Sequence, residues 1–143
     1  MEWSFDLSKS PEFIRVTTSG VFCSTHYAEM FDELFSLEFW RFGTPLLFDN
    51  RKLYLSGIDP VELMDTADNF VSRNPELAFS PIAVLFENSD ALDLGERFGQ
   101  ITDDRSLADV RRFLKESEAI EWLTSYFLSI LAIIEFSLHP VIG

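Results

Sequence analysis

The stretch "LLFDNRKLYLSGIDPVEL", residues 46–63, carries three signals in a row. "LLFD" is short and continuously apolar, as a strand covered on both faces is. Ser56 and Gly57 read as a turn. Asp59 is then placed to cap a helix, Pro60 suits its first position, and Glu62 completes a capping box. A buried strand, a loop and a helix start in that order suit a parallel α/β sheet.

The flanking sequence extends the pattern. Upstream, "WSFDLS" alternates Trp3, Phe5 and Leu7 with Ser4, Asp6 and Ser8, the period of a half-buried strand. "SKSP" turns the chain, and "EFIRVTTSG" is a β-branched second strand ended by Gly20, so an antiparallel hairpin is expected. From Thr25 the period becomes helical, with Tyr27, Met30, Phe31, Leu34, Phe35 and Phe39 on one face and Ser24 or Thr25 as cap. Downstream, Val61, Met64, Ala67, Phe70 and Val71 predict the apolar stripe of the next helix. "IAVLFE" predicts another buried strand, and Ser89 or Asp90 is expected to cap a helix with Leu92, Leu94, Phe98 and Ile101 inward. "DVRRFL" reads as an edge strand and "SEAIEWL" as the start of the last helix. The order β-β-α-β-α-β-α-β-α predicts an α/β fold with a single mixed sheet of about five strands flanked by helices.

Composition narrows the function. The 143 residues suit one domain, and 47% hydrophobic content with 15 Phe supplies a packed core. Acids outnumber bases 24 to 11, a net charge of -13 that repels nucleic acid and anionic membranes. The basic pairs Arg51–Lys52 and Arg111–Arg112 are short and isolated. One cysteine, Cys23, forms no internal disulfide, and "MEWSFDLS" is no secretory signal, so a cytoplasmic protein is expected.

The layout resembles that of the SpoIIAA-like proteins, bacterial relatives of the STAS domains. The likeness rests on the opening strand pair, "LLFDN", the turn into "DPVELMDTADNF", "IAVLFE" and the closing "DVRRFLKESEAIEWL", residues 1–123. It implies a small non-enzymatic module, sometimes dimeric, with a regulatory or partner-binding role like that of the anti-sigma-factor antagonists. In the phosphorylatable antagonists an Asp-Ser-Ser-Gly motif lies between the third strand and the next helix. Here the place holds Leu55-Ser56-Gly57, so Ser56 stands where the phosphate is carried while the Asp and the first Ser are missing. A phosphate there would meet a helix N-terminus, which favours it, and Asp59 and Glu62, which repel it.

Asp49 ends the buried strand, and open α/β sheets bind ligands at that end. Asp49, Asn50, Arg51, Ser56, Gly57, Asp59 and Glu62 are therefore the candidate partner or ligand surface. No acidic pair accompanies Asp49 and no Gly-rich phosphate loop is present. Cys23 and His26 lie three apart, but with His139 as the only other histidine they make neither a metal site nor a nucleophile with an orienting partner. No catalytic residue, metal or cofactor is expected. The alternative to a partner-binding module is a carrier or sensor of a small apolar ligand.

Residues 124–143 form an apolar helical extension beyond the resemblance, expected to complete the same globule or to make a homodimer interface through Trp122, Phe127, Leu131 and Ile134. Residues 122–134 carry no charge, yet a membrane span needs about 20 apolar residues, and no basic residue follows to orient one. Burial against protein is the expectation.

Overall fold

The computed structural model describes residues 1–138. The chain runs β1 (Glu2–Asp6), β2 (Ile14–Val21), α1 (Ser24–Ser36), β3 (Leu46–Tyr54), α2 (Pro60–Ser72), α3 (Asn74–Leu77), β4 (Pro81–Leu85), α4 (Ser89–Thr102), β5 (Asp109–Phe113) and α5 (Glu116–Leu138). The strands form one mixed sheet, as expected, and lie in the order β1-β2-β3-β4-β5. β1 pairs antiparallel with β2, and every other pair is parallel.

Both faces of the sheet are covered, which is why its central strands are apolar without alternation. On one face Ile14, Val16, Leu46, Phe48 and Ile82 meet Met30, Phe31 and Leu34 of α1, Phe70 of α2 and Leu77 of α3. On the other, Leu47 and Ala83 meet Phe13 and the first half of α5 through Ala119 and Leu123.

Several local expectations are corrected. β3 does not stop at Asp49 but runs to Tyr54, because Lys52, Leu53 and Tyr54 pair with Ser19, Gly20 and Val21. The register slips between Thr17, opposite Asp49, and Ser19, opposite Lys52, so β3 carries one extra residue, a bulge. α2 buries Leu63, Thr66, Ala67 and Phe70, while Val61 and Met64 of the predicted stripe face solvent. Asp59 does cap α2, accepting the Glu62 N–H at 2.8 Å. The Glu62 carboxylate, however, accepts the Ser24 N–H at 3.3 Å instead of closing a box. It thus caps α1, whose N-cap residue is Cys23, with no side-chain capping bond of its own. α4 is capped by Asn88, which accepts the Ala91 N–H at 2.9 Å, not by Ser89 or Asp90. Its buried line is Gly95, Gly99 and Thr102, with the expected Leu92, Leu94, Phe98 and Ile101 half-buried. A Cβ on Gly95 would sit 2.4 Å from the Phe86 ring, so the glycine lets α4 lie close against the sheet. Phe39 falls beyond the end of α1 and is exposed.

α5 is one helix across residue 123, so the extension continues the domain's own last helix; residues 139–143, with His139, lie outside the described residues.

The phase of α2 is testable. Phe70 is 5% exposed and Val61 70%. Phe70→Ala should cost about 3–5 kcal/mol in urea unfolding and Val61→Ala no more than about 0.5 kcal/mol. Equal losses would refute the assigned phase.

Candidate functional site

Strand alternation in β3 divides the predicted surface between the two faces of the sheet. Asp49 and Arg51 turn toward α5. Asp49 accepts from Arg51 Nε at 2.9 Å and Arg51 Nη2 at 2.8 Å, and from Arg15 Nη1 at 3.2 Å. The first turn of α5 adds Glu116, hydrogen-bonded by Arg15 and 3.5 Å from Arg51 Nη2. Two cations and two anions thereby tie β2, β3 and α5 together. Hydrogen bonds from Arg51 hold the nearly buried Asp49 carboxyl below its ordinary value, and Asp49 in turn raises Arg51. Asp49 and Arg51 are thus committed to one another and to the fold.

Asn50 turns the other way. Its Oδ1 accepts from the buried Thr18 hydroxyl at 2.6 Å, and both residues line a chamber of about 120 Å³ between the sheet and helices α1, α2 and α4. Phe48, Ile82, Val84 and Val110 of the strands face Met30, Phe31, Leu63, Phe70 and Phe98 of the helices. Each polar side chain on the wall is neutral or already paired. The Thr66 hydroxyl donates to the Glu62 carbonyl at 2.8 Å. The Arg112 guanidinium, packed over Gly99, donates to both Asp103 oxygens at 3.1 and 3.2 Å. Burial pushes the Tyr27 hydroxyl pKa up, so it stays protonated.

The rim includes Leu55 and Ile58 of the β3–α2 connection. Between them Ser56 and Gly57 are exposed, and Gly57 has φ +92°, a left-handed conformation that favours glycine. Asp59 and Glu62 at the head of α2 act as the caps described above. The predicted residues therefore separate into an ion network (Asp49, Arg51), a chamber wall (Asn50) and a rim loop with its helix start (Ser56, Gly57, Asp59, Glu62). Of the predicted dimer residues, Leu131 and Ile134 are exposed and Phe127 is half-buried. Trp122 is engaged within the chain, 6.0 Å from the Phe113 ring and under the Arg111 guanidinium at 5.0 Å. His26 packs 6.1 Å from Trp3, and no group of three metal-binding side chains occurs among the described residues.

Sequence reasoning missed Arg15, Glu116 and Thr18. Arg15 alternates with the apolar positions of β2 as a surface residue would, Thr18 continues the buried row of Ile14 and Val16 as a polar residue, and only pairing with β3 gives them partners. Glu116 looked like part of an acidic linker.

Sheet order, helix placement and a chamber beside the carboxyl ends of the strands define an α/β protein of SpoIIAA-like fold. A similar solved structure is the 2.25 Å crystal structure of an uncharacterized protein from the DUF3478 family with a SpoIIAA-like fold, from Shewanella loihica PV-4. The two align with a TM-score of 0.57 at 16% identity, over 85% of this chain and 92% of that one. At this identity the likeness speaks for the fold, in agreement with the resemblance seen in sequence. No protein-family model and no curated protein matches the chain.

The ion network gives a pH prediction. Asp49 is held below its unfolded value of about 3.9. Its contribution is therefore present above that value and fades as pH falls through the lower folded value. Asp49→Asn should cost roughly 2–4 kcal/mol at pH 7, between the values for exposed and buried pairs. The gap to wild type should close as pH falls below about 4 in urea titrations. A gap unchanged with pH would refute this role.

Proposed function

We propose that the protein is a non-enzymatic binding module that takes a small, uncharged apolar ligand into the chamber beneath the β3–α2 connection. One observation carries this reading: the chamber of about 120 Å³ has an apolar wall whose polar groups are neutral or paired. Such a wall offers no unpaired side-chain charge to a charged ligand, and desolvating that ligand would be costly. In size it approaches the cavity of about 150 Å³ that takes up benzene. A compact ring or the end of an acyl chain fits that volume.

Toluene is a suitable probe. Titration followed by backbone NMR should give a Kd on the order of 1 mM, with shifts confined to chamber residues such as Thr18, Asn50 and Val84. Val84→Phe, which fills the chamber from its floor, should abolish uptake while preserving the fold. Absence of shifts in the wild type, or undiminished uptake by a folded Val84→Phe, would reject the chamber as a ligand site.

A regulatory module in the bacterial cytoplasm, acting on a protein partner, is the second reading. Its specific support is the exposure of Ser56 on the rim loop. Intact-mass analysis of protein purified from its host separates the two. A non-covalent adduct lost on denaturation supports the carrier, and a phosphate increment mapped to Ser56 supports the switch. For the switch, Ser56→Asp should weaken a partner docked on the Ser56–Glu62 corner.

A further inference from the structure

We infer that the second half of α5 is a homodimer interface, in which each copy's helix end packs into a groove on the other. The inference is independent of the chamber, which lies on the opposite face of the sheet.

The first half of α5 is held by the sheet through Ala119 and Leu123. Tyr126, Phe127 and Ile130 then reach the amino-terminal edge, beside Pro45 and Pro81 at the starts of β3 and β4. Residues 131–138 continue beyond these contacts as helix, about 12 Å at 1.5 Å per residue. This end exposes Leu131 (44%) and Phe136 (74%), together with Ile134. A groove of about 270 Å³ lies next to it, between α5 and the α1–β3 connection, lined by Phe39, Phe42 and Pro45. Phe42 is 64% exposed and stacks edge-on to Phe79, which is also exposed.

Four arguments select a second copy as the occupant. Ridge and groove are adjacent and apolar on the same molecule, the self-complementary arrangement a two-fold axis requires. The area suffices: Leu128, Ile130, Leu131, Ile134, Phe136, Phe39, Phe42 and Phe79 are each about half exposed or more. At roughly 200 Å² per large side chain they offer on the order of 800 Å², what one partner of a standard interface buries. The segment 122–134 is uncharged and Glu135 is the one acid between Trp122 and Phe136, so two copies of a chain with net charge -13 meet there with little opposing charge. A bilayer fits less well: α5 over Glu116–Phe136 is long and apolar enough to cross one, but Ala119 and Leu123 hold its first half on the sheet, and the free end covers about 12 Å of a hydrocarbon core of about 30 Å and lacks the basic face of an interfacial helix.

Sedimentation equilibrium of the full chain at about 10 µM should give twice the monomer mass of 16.5 kDa. Leu131→Asp combined with Ile134→Asp places charge on the helix end, and Phe42→Glu places it in the groove. Each should raise the dimer Kd by roughly 100-fold or more while leaving far-UV circular dichroism unchanged. A monomeric wild type overturns the inference. So does a dimer that persists in either variant, or flotation of the wild type with neutral phosphatidylcholine vesicles.

Discussion

Three crossovers made in one direction govern this molecule. A crossover between parallel neighbouring strands is right-handed almost without exception. The strands follow chain order, so α1, α2 and α4 must all fall on the same face. The opposite face is left to whatever follows β5, and the Leu47 and Ala83 side chains there still have to be covered. α5 supplies that cover and is the only helix among the described residues that does so. Its course, antiparallel to β4 and β5, follows from this demand. A helix of 23 residues is longer than those strands, and the surplus runs past the sheet's amino-terminal edge. The chamber, between the sheet and three helices, and the projecting helix end are two results of one topological constraint.

The bulge in β3 acts within that frame. Up to Arg51 the strand alternates, setting Asp49 and Arg51 on the α5 face and Asn50 beside Thr18 on the chamber face. The extra residue then shifts the alternation, so that Leu53 joins Phe48 and Asn50 on the chamber wall. One strand thus serves both faces, holding α5 by charge and lining the chamber. Glu62 plays a similar double part, opening α2 while capping α1.

Much of the fold was legible in the sequence because the signals were local. The hairpin, the crossovers and the Asp59–Pro60 helix start are written in spacing and capping chemistry. What was not legible depended on partners distant in the chain. β3 looked four residues long because Arg51 and Lys52 are charged, and its second half is a strand only through pairing with the end of β2. The stripe assigned to α2 was rotated because Val61 and Met64 are apolar yet exposed, whereas the buried Thr66 satisfies its hydroxyl on the Glu62 carbonyl. Gly95 and Gly99 carry no hydrophobic signal, and their burial reflects close approach. At the site, the right segment was found while its division between two faces was not, since a strand ended at Asp49 leaves the alternation of Asn50 and Arg51 unread.

Charge then decides what such a scaffold can engage. Arg15, Arg51, Arg73, Arg105 and Arg112 each spend their charge on a carboxylate of the same chain. The net excess of acids is carried on the surface and disfavours phosphate backbones and anionic lipids alike. Two mainly apolar features stand out against that surface: the chamber wall and the end of α5 with its groove. Apolar contact does not weaken with net charge, so recognition concentrates where the acids are absent. A ligand in the chamber would be selected for lacking charge, and a second copy would be admitted through the apolar end of α5. The same charge would limit growth beyond two copies, because an interface that closes on itself leaves no apolar ridge for a third.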